Sequence, residues 1–97
     1  MKASTVAKKI LKWYGDDASK WCQGAACRDE NGVPTYVYNA KSCCMFGAVS
    51  KLSLLDHNLD PFRDRFRGRS IIGFNDKPGR TFAQVKRKLQ KIAEGDK

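Results

Sequence analysis

A polar loop followed by a capped amphipathic helix most limits what this chain can fold into. The loop covers residues 73–81, and its Pro78-Gly79 pair predicts a turn because proline presets φ and glycine tolerates positive φ. Thr81 and Gln84 have the spacing of a capping box, so a helix is predicted to begin after Thr81. One apolar stripe follows at helical spacing and consists of Phe82, Val85, Leu89 and Ile92. A helix with one apolar stripe needs another apolar surface on which to pack.

The first fifteen residues predict a second amphipathic helix, on which the terminal helix can pack. Ser4 or Thr5 can cap it, and Gly15 suits the position after its last turn. Trp13 lies at the edge of the apolar face, where it can close the core or stack a nucleobase. Lysines interrupt the apolar pattern, so neither a signal peptide nor a transmembrane span is predicted. The predicted apolar face consists of Ala3, Val6, Ala7, Ile10, Leu11 and Tyr14.

Two short elements are predicted after the first helix. The Asp16-Asp17 pair can begin a short helix that runs through Trp21. The Asn31-Gly32 pair is a turn signal, because both residues readily adopt positive φ. The residues that follow it are β-favouring and contain Pro34, which confines them to an edge strand. We therefore predict a small hairpin of about residues 24–38.

Two further helices are predicted before the polar loop. One covers roughly residues 40–55, with Asn39 as its cap. Gly47 lies inside this helix and indicates close packing, since glycine costs about 1 kcal/mol there relative to alanine. The second begins at Asp60 and Pro61, which suit the cap and the first helical position.

The fold class follows from these elements. Ninety-seven residues can bury one modest core. We predict a single domain over residues 1–97 that is mostly α, with four or five short helices and one small β-hairpin. The terminal helix, residues 81–93, is expected to pack on Ile10, Tyr14, Ala48 and Leu52.

Positive charge is concentrated in the last third of the chain. The net charge is +9, and residues 61–97 hold eleven basic and four acidic residues, which gives +7. Such a surface favours a nucleic acid or an acidic protein as partner. The predicted nucleic-acid or anion-binding residues are Arg63, Arg65, Arg67, Arg69, Lys77, Arg80, Lys86, Arg87 and Lys91.

The polar loop holds a second candidate site, Asn75, Asp76, Arg80 and Thr81. In a structural role, Asn75 or Asp76 would accept loop amides and Arg80 would pair with Asp76. In a functional role, Arg80 and the first amides of the terminal helix would bind phosphate or carboxylate. We predict the structural pair, and the two roles are compatible if Arg80 faces outward.

The cysteines leave a metal site open as an alternative. Cys22, Cys27, Cys43, Cys44 and His57 supply enough ligands for zinc, but they lack the C-x2-C spacing of structural zinc sites. We predict four reduced core thiols, as in a cytoplasmic protein, with no metal and no cofactor. His57 is the single histidine, and no pair of carboxylates indicates acid–base chemistry, so no catalytic residue is predicted.

Three segments carry a family resemblance. They are residues 21–32 (WCQGAACRDENG), 43–49 (CCMFGAV) and 74–81 (FNDKPGRT). The chain resembles a domain-of-unknown-function family of short bacteriophage and actinomycete proteins with G-A-x-x-R-D, C-x-x-G-A and N-D-x-P-G-R-T motifs. Cys43 and Phe74 stand where that family usually has tryptophan. The resemblance spans about residues 3–93 and implies a small, mostly helical cytosolic fold and a phage origin, but no activity.

These observations predict a small, basic, non-catalytic interaction module in the cytoplasm. It is expected to bind nucleic acid through a basic surface in the last third of the chain, without membrane association. The alternative is an inhibitor or adaptor that binds an acidic host protein or a nucleoprotein complex. A small zinc or thiol protein is a further alternative. The sequence does not indicate the oligomeric state.

Overall fold

The first and last helices pack against each other and organise the fold. In a computed structural model, which describes residues 1–95, α1 covers Ala3–Tyr14 and α5 covers Phe82–Ala93. Their apolar stripes meet in one core, in which the Tyr14 and Phe82 rings lie edge to face at 5.5 Å. Between them lie β1 (Cys27–Arg28), β2 (Ser42–Cys43), α2 (Met45–Lys51), α3 (Asp60–Arg63) and α4 (Ile71–Asp76). Over these described residues the fold is the predicted one, a small mostly-α domain of five helices with one hairpin.

The ends of the two long helices are set by local hydrogen bonds. The predicted capping box of α5 is confirmed, with Thr81 and Gln84 each bonding the backbone amide of the other. The cap predicted for α1 is wrong, because that helix begins at Ala3 and Lys2 takes the cap position without a side-chain bond. Gly15 ends α1 with a φ of 56°, and its amide donates to the Leu11 carbonyl.

The hairpin agrees with the prediction in part. Arg28 and Pro34 form an isolated antiparallel bridge within the predicted residues 24–38. The two-residue strands, however, pair Cys27 and Arg28 with Ser42 and Cys43, so the second strand lies outside that range. The turn itself is confirmed, but only Gly32 has the expected positive φ, at 80°, whereas Asn31 does not. The Asp29 carboxylate accepts hydrogen bonds from the amides of Asn31 and Val33. These two amides are therefore satisfied within the loop and need no partner strand. The chain therefore forms an ordered loop, with 3-10 turns at Ala18–Lys20 before the hairpin and Val37–Asn39 within it.

Helix α2 is shorter than the helix predicted at residues 40–55. Residues 42 and 43 belong to the hairpin, so the helix begins only after Cys44, whose sulfur accepts the Gly47 amide in place of the expected Asn39 cap. Close packing at Gly47 is confirmed. A Cβ atom there would lie 2.0 Å from the carbonyl oxygen of Ala26, so only glycine lets the hairpin approach this helix.

The short helices α3 and α4 complete the core. Phe62 and Phe66 are buried and lie edge to face at 5.1 Å, and Phe66 contacts Phe74 in the same way at 5.5 Å. Leu59 rather than Asp60 takes the cap position of α3, because the helix already includes Asp60. Helix α4 extends into the predicted polar loop. The Ser70 hydroxyl accepts the Gly73 amide, which begins a helix that continues through Asp76.

A disulfide joins the two strands of the hairpin. It links Cys27 to Cys43, which face each other in register, while Cys22 and Cys44 are free thiols. The prediction of four reduced thiols is therefore wrong for the linked pair. The strand register explains the error, because the sequence did not show which residues the hairpin brings opposite each other.

We expect the unfolded, unreduced chain to titrate two thiols and the reduced chain to titrate four. In the folded protein, burial raises the pKa of the Cys44 thiol, which lowers the fraction of reactive thiolate. Cys44 should therefore be alkylated far more slowly in the folded than in the unfolded chain. Thiol counting measures the number of free thiols, and mass mapping of the alkylated residues measures how fast Cys44 reacts. Four thiols without reductant would contradict the disulfide.

Among residues 1–95, no helix combines the length and the apolar character that a bilayer crossing needs.

Candidate functional site

The polar loop is organised around Asn75, whose side chain is fully buried. Its Oδ1 accepts from Trp21 Nε1 at 2.6 Å and from the Met45 amide at 3.1 Å. Its Nδ2 donates to the Cys22 carbonyl at 3.0 Å and to the Asp76 carboxylate at 2.8 Å. All four bonds that an asparagine side chain can make are thus made, and they join α4 to the start of α2 and to the segment before β1.

Further hydrogen bonds join the same segments. Asp76 also accepts the Gly24 amide at 3.2 Å. Gln23 donates to the carbonyls of Asn75 and Lys77, which satisfies acceptors at the end of α4. Arg28 in turn donates to the Gln23 carbonyl at 3.0 Å. The three segments that carried the family resemblance therefore meet here, and the geometry gives Asn75 and Asp76 a structural role.

Arg80 has a structural role with a different partner from the one predicted. Its Nε donates to the Phe74 carbonyl at 2.9 Å, and its guanidinium lies 3.8 Å from the centre of the Phe74 ring. The predicted pair with Asp76 is wrong, because that carboxylate bonds Gly24 and Asn75 instead. The end of α4 explains the choice, since its last carbonyls attract a cation.

A basic groove lies beside this arginine. It has a volume of about 370 Å³, and the described residues that line it include four cations and no acidic side chain. Arg80 lies over the Phe74 ring, and Lys88 lies 5.9 Å from the centre of the same ring. Two of the four cations, Arg80 and Lys88, therefore lie over an aromatic ring. We call this site the cationic groove, and its lining residues are Arg67, Ser70, Gly73, Phe74, Lys77, Arg80 and Lys88.

Sequence reasoning missed Lys88 in this groove. Lys88 lies 5.4 Å from the centre of the Phe66 ring, so α5 presents it toward Phe66, which follows α3, and toward Phe74 of α4. Its spacing of seven residues from Thr81 places it on the same side of α5 as the cap. That spacing was the available signal, but the sequence did not show which side of α5 would meet α4.

The nine predicted basic residues do not all meet. Arg67, Lys77 and Arg80 line the cationic groove, whereas Arg63 lines a neighbouring groove. Lys86 forms an ion pair with Asp16 instead, and its hydrogen bond lowers the pKa of that carboxyl below the ordinary value. The side chain of Arg69 lies outside the described part of the structure. The other three are Arg65, which is half-buried, and Arg87 and Lys91, which are exposed on α5.

The structure changes the set of candidate zinc ligands. The disulfide removes Cys27 and Cys43 from the set of possible ligands. Within residues 1–95, no three or more His, Cys, Asp and Glu side chains are grouped so that they could hold a metal ion.

Comparison with known proteins gives a family without an assigned activity. A family of unknown function, DUF6197, matches the chain over residues 17–94. That range includes all three segments that carried the resemblance. Searches of curated proteins and of solved structures found no match. The phage origin implied by the resemblance stays a prediction.

Proposed function

We propose that the chain, which belongs to this family of unknown function, binds nucleic acid through the cationic groove and carries out no catalysis. The supporting observation is the groove itself, where Arg67, Lys77, Arg80 and Lys88 surround a volume of about 370 Å³. A phosphate backbone is a regular row of anions, and a groove lined by several cations suits it. The chain's net charge of +9 would also steer a polyanion toward the protein.

The groove suits phosphates better than bases. The Phe74 ring is only half-exposed and has Arg80 at 3.8 Å and Lys88 at 5.9 Å from its centre. A base stacked there would have to displace cations from the ring. The hydrogen bond from Arg80 to the Phe74 carbonyl already restricts the arginine side chain. Binding a ligand therefore costs less side-chain entropy at Arg80. Such contacts position a nucleic acid without reading its sequence.

An acidic protein is the second candidate partner. The neighbouring groove contains the half-exposed Ile72 together with Phe46, Ile71 and Arg63, and it shares Ser70 with the cationic groove. An exposed apolar residue beside cations is a common arrangement at protein interfaces. Loss of binding to such a partner in an Ile72→Asp variant, with nucleic-acid binding unchanged, would favour this candidate.

Charge reversal in the groove tests the proposal. We expect Arg67→Glu/Lys77→Glu to lower affinity for a fluorescent oligonucleotide at least about tenfold at low salt, because each reversal removes one phosphate contact and adds a repulsion. Fluorescence anisotropy measures the affinity. Arg80 is left unchanged because it also stabilises the fold.

The matched control is Arg87→Glu/Lys91→Glu. It changes the net charge by the same amount, and both residues are exposed on α5 outside the groove. We expect a smaller loss of affinity from this control. Equal losses in the two variants would mean that overall charge, and not the cationic groove, determines binding.

A further inference from the structure

Two tyrosines project from the loop between the hairpin strands. Tyr36 and Tyr38 are 73% and 75% exposed, and their rings are parallel to within 2° with centres 5.9 Å apart. Exposing two stacked aromatic rings leaves apolar area in water that folding normally buries. The pair is therefore a surface feature that the stability of the fold does not explain.

The loop that presents these rings is well ordered. The Thr35 amide donates to the Cys27 carbonyl at 3.1 Å, and the Lys41 amide donates to the Arg28 carbonyl at 2.9 Å. Between the two tyrosines, Val37 is half-buried and packs against the core. The backbone that carries the rings is thus anchored on both sides, which lowers the entropy cost of ordering this loop when a ligand binds.

Lys51 connects the tyrosines to a second basic pocket. Its Nζ donates to the Val37 carbonyl at 3.0 Å and lies 6.0 Å from the centre of the Trp13 ring. Lys20 also lies over that ring, at 5.5 Å, and donates to the Trp13 carbonyl. Two cations therefore lie near the Trp13 ring, and one of them, Lys51, also contacts the tyrosine loop. The pocket measures about 430 Å³, and its lining residues are Lys9, Lys12, Trp13, Lys20 and Leu52.

We infer that the tyrosine pair and this lysine pocket form a binding surface for single-stranded nucleic acid. Unpaired bases would stack on the outer faces of Tyr36 and Tyr38, and the backbone phosphates would contact Lys9, Lys12 and Lys20. Aromatic rings beside a row of cations are the combination that single-strand binding uses, because every base has a face that stacks. A duplex keeps its bases stacked internally and cannot offer these faces. The inference rests on the proposed function and adds that the substrate is single-stranded.

The experiment compares three labelled ligands of equal length by anisotropy at low salt. They are an oligothymidine, the same strand with abasic sites, and a duplex. We expect Tyr36→Leu/Tyr38→Leu to bind oligothymidine at least about tenfold more weakly, since each stacked base contributes severalfold or more. Binding of the abasic strand and of the duplex should change less than about twofold.

The matched control is Tyr36→Phe/Tyr38→Phe, which keeps the rings and should keep oligothymidine binding within about threefold. Circular dichroism checks that both variants fold. If the wild type binds the oligothymidine and the abasic strand equally, or if the leucine variant binds oligothymidine normally, the stacking surface is overturned and the tyrosines are reassigned to a protein contact. If the wild type binds none of the ligands, the proposed function fails as well.

Discussion

Leu89→Asp is expected to unfold the protein. Leu89 is fully buried on α5, within the core that α5 shares with α1. Removing a buried leucine costs about 2–5 kcal/mol. Placing a carboxylate there adds a further penalty, because a buried charge lacks compensation. Together these costs approach the whole free energy of unfolding of a small domain, about 5–15 kcal/mol.

Circular dichroism and thermal melting measure this change. The control is Gln90→Asp, which introduces the same side chain at an exposed position on the same helix. We expect the Leu89 variant to lose most of its helical signal and its cooperative transition, while the Gln90 variant keeps both. An unchanged melting temperature in the Leu89 variant would contradict the packing of α5 on α1.

Asn75→Ala is expected to lower the free energy of unfolding by at least about 3 kcal/mol. The change removes four hydrogen bonds and leaves the Trp21 Nε1, the Met45 amide and the Cys22 carbonyl without this partner. Each buried polar group without a partner costs about 1–3 kcal/mol. For a domain of this size the melting temperature should fall by about 12 °C or more.

Urea unfolding of the Asn75 variant measures the change in the free energy of unfolding directly. The matched control is Asn39→Ala, which removes the same side chain at an exposed position. Its effect should stay within about 0.5 kcal/mol. A loss in the Asn75 variant as small as in the control would mean that the hydrogen bonds around Asn75 do not hold the three family segments together.

The long helices could be predicted because their signals are local. The capping box of Thr81 and Gln84 and the apolar stripes depend only on spacing within one helix. The hairpin depends on pairing over 14–16 residues, and β-propensity near Pro34 did not show that Ser42 and Cys43 would be the partners of Arg28 and Cys27. The reduced thiols were predicted from the expected cytoplasmic location, and the sequence did not show that Cys27 and Cys43 would face each other. A strand of two residues has too little side-chain alternation to specify its register from the sequence.

The basic residues of the candidate site also depend on contacts between segments that are distant in the sequence. Composition located the excess charge in residues 61–97, and the structure brings Arg67, Lys77 and Arg80 together from it. The sequence could not show that Lys86 would pair with Asp16, 70 residues earlier in the chain. Nor could it show that Arg80 would bond the Phe74 carbonyl, because that bond depends on α4 ending beside the Pro78-Gly79 turn.

The salt dependence of oligonucleotide binding tests the central claim most directly. We expect the logarithm of the association constant to fall with the logarithm of salt concentration with a slope of about −2 or steeper, because each phosphate contact releases bound counterions. Arg67→Ala/Lys77→Ala should make that slope shallower by about 1–2, since two contacts are lost. No binding by the wild type at low salt, or the same slope in the wild type and the variant, would contradict nucleic-acid binding through the cationic groove.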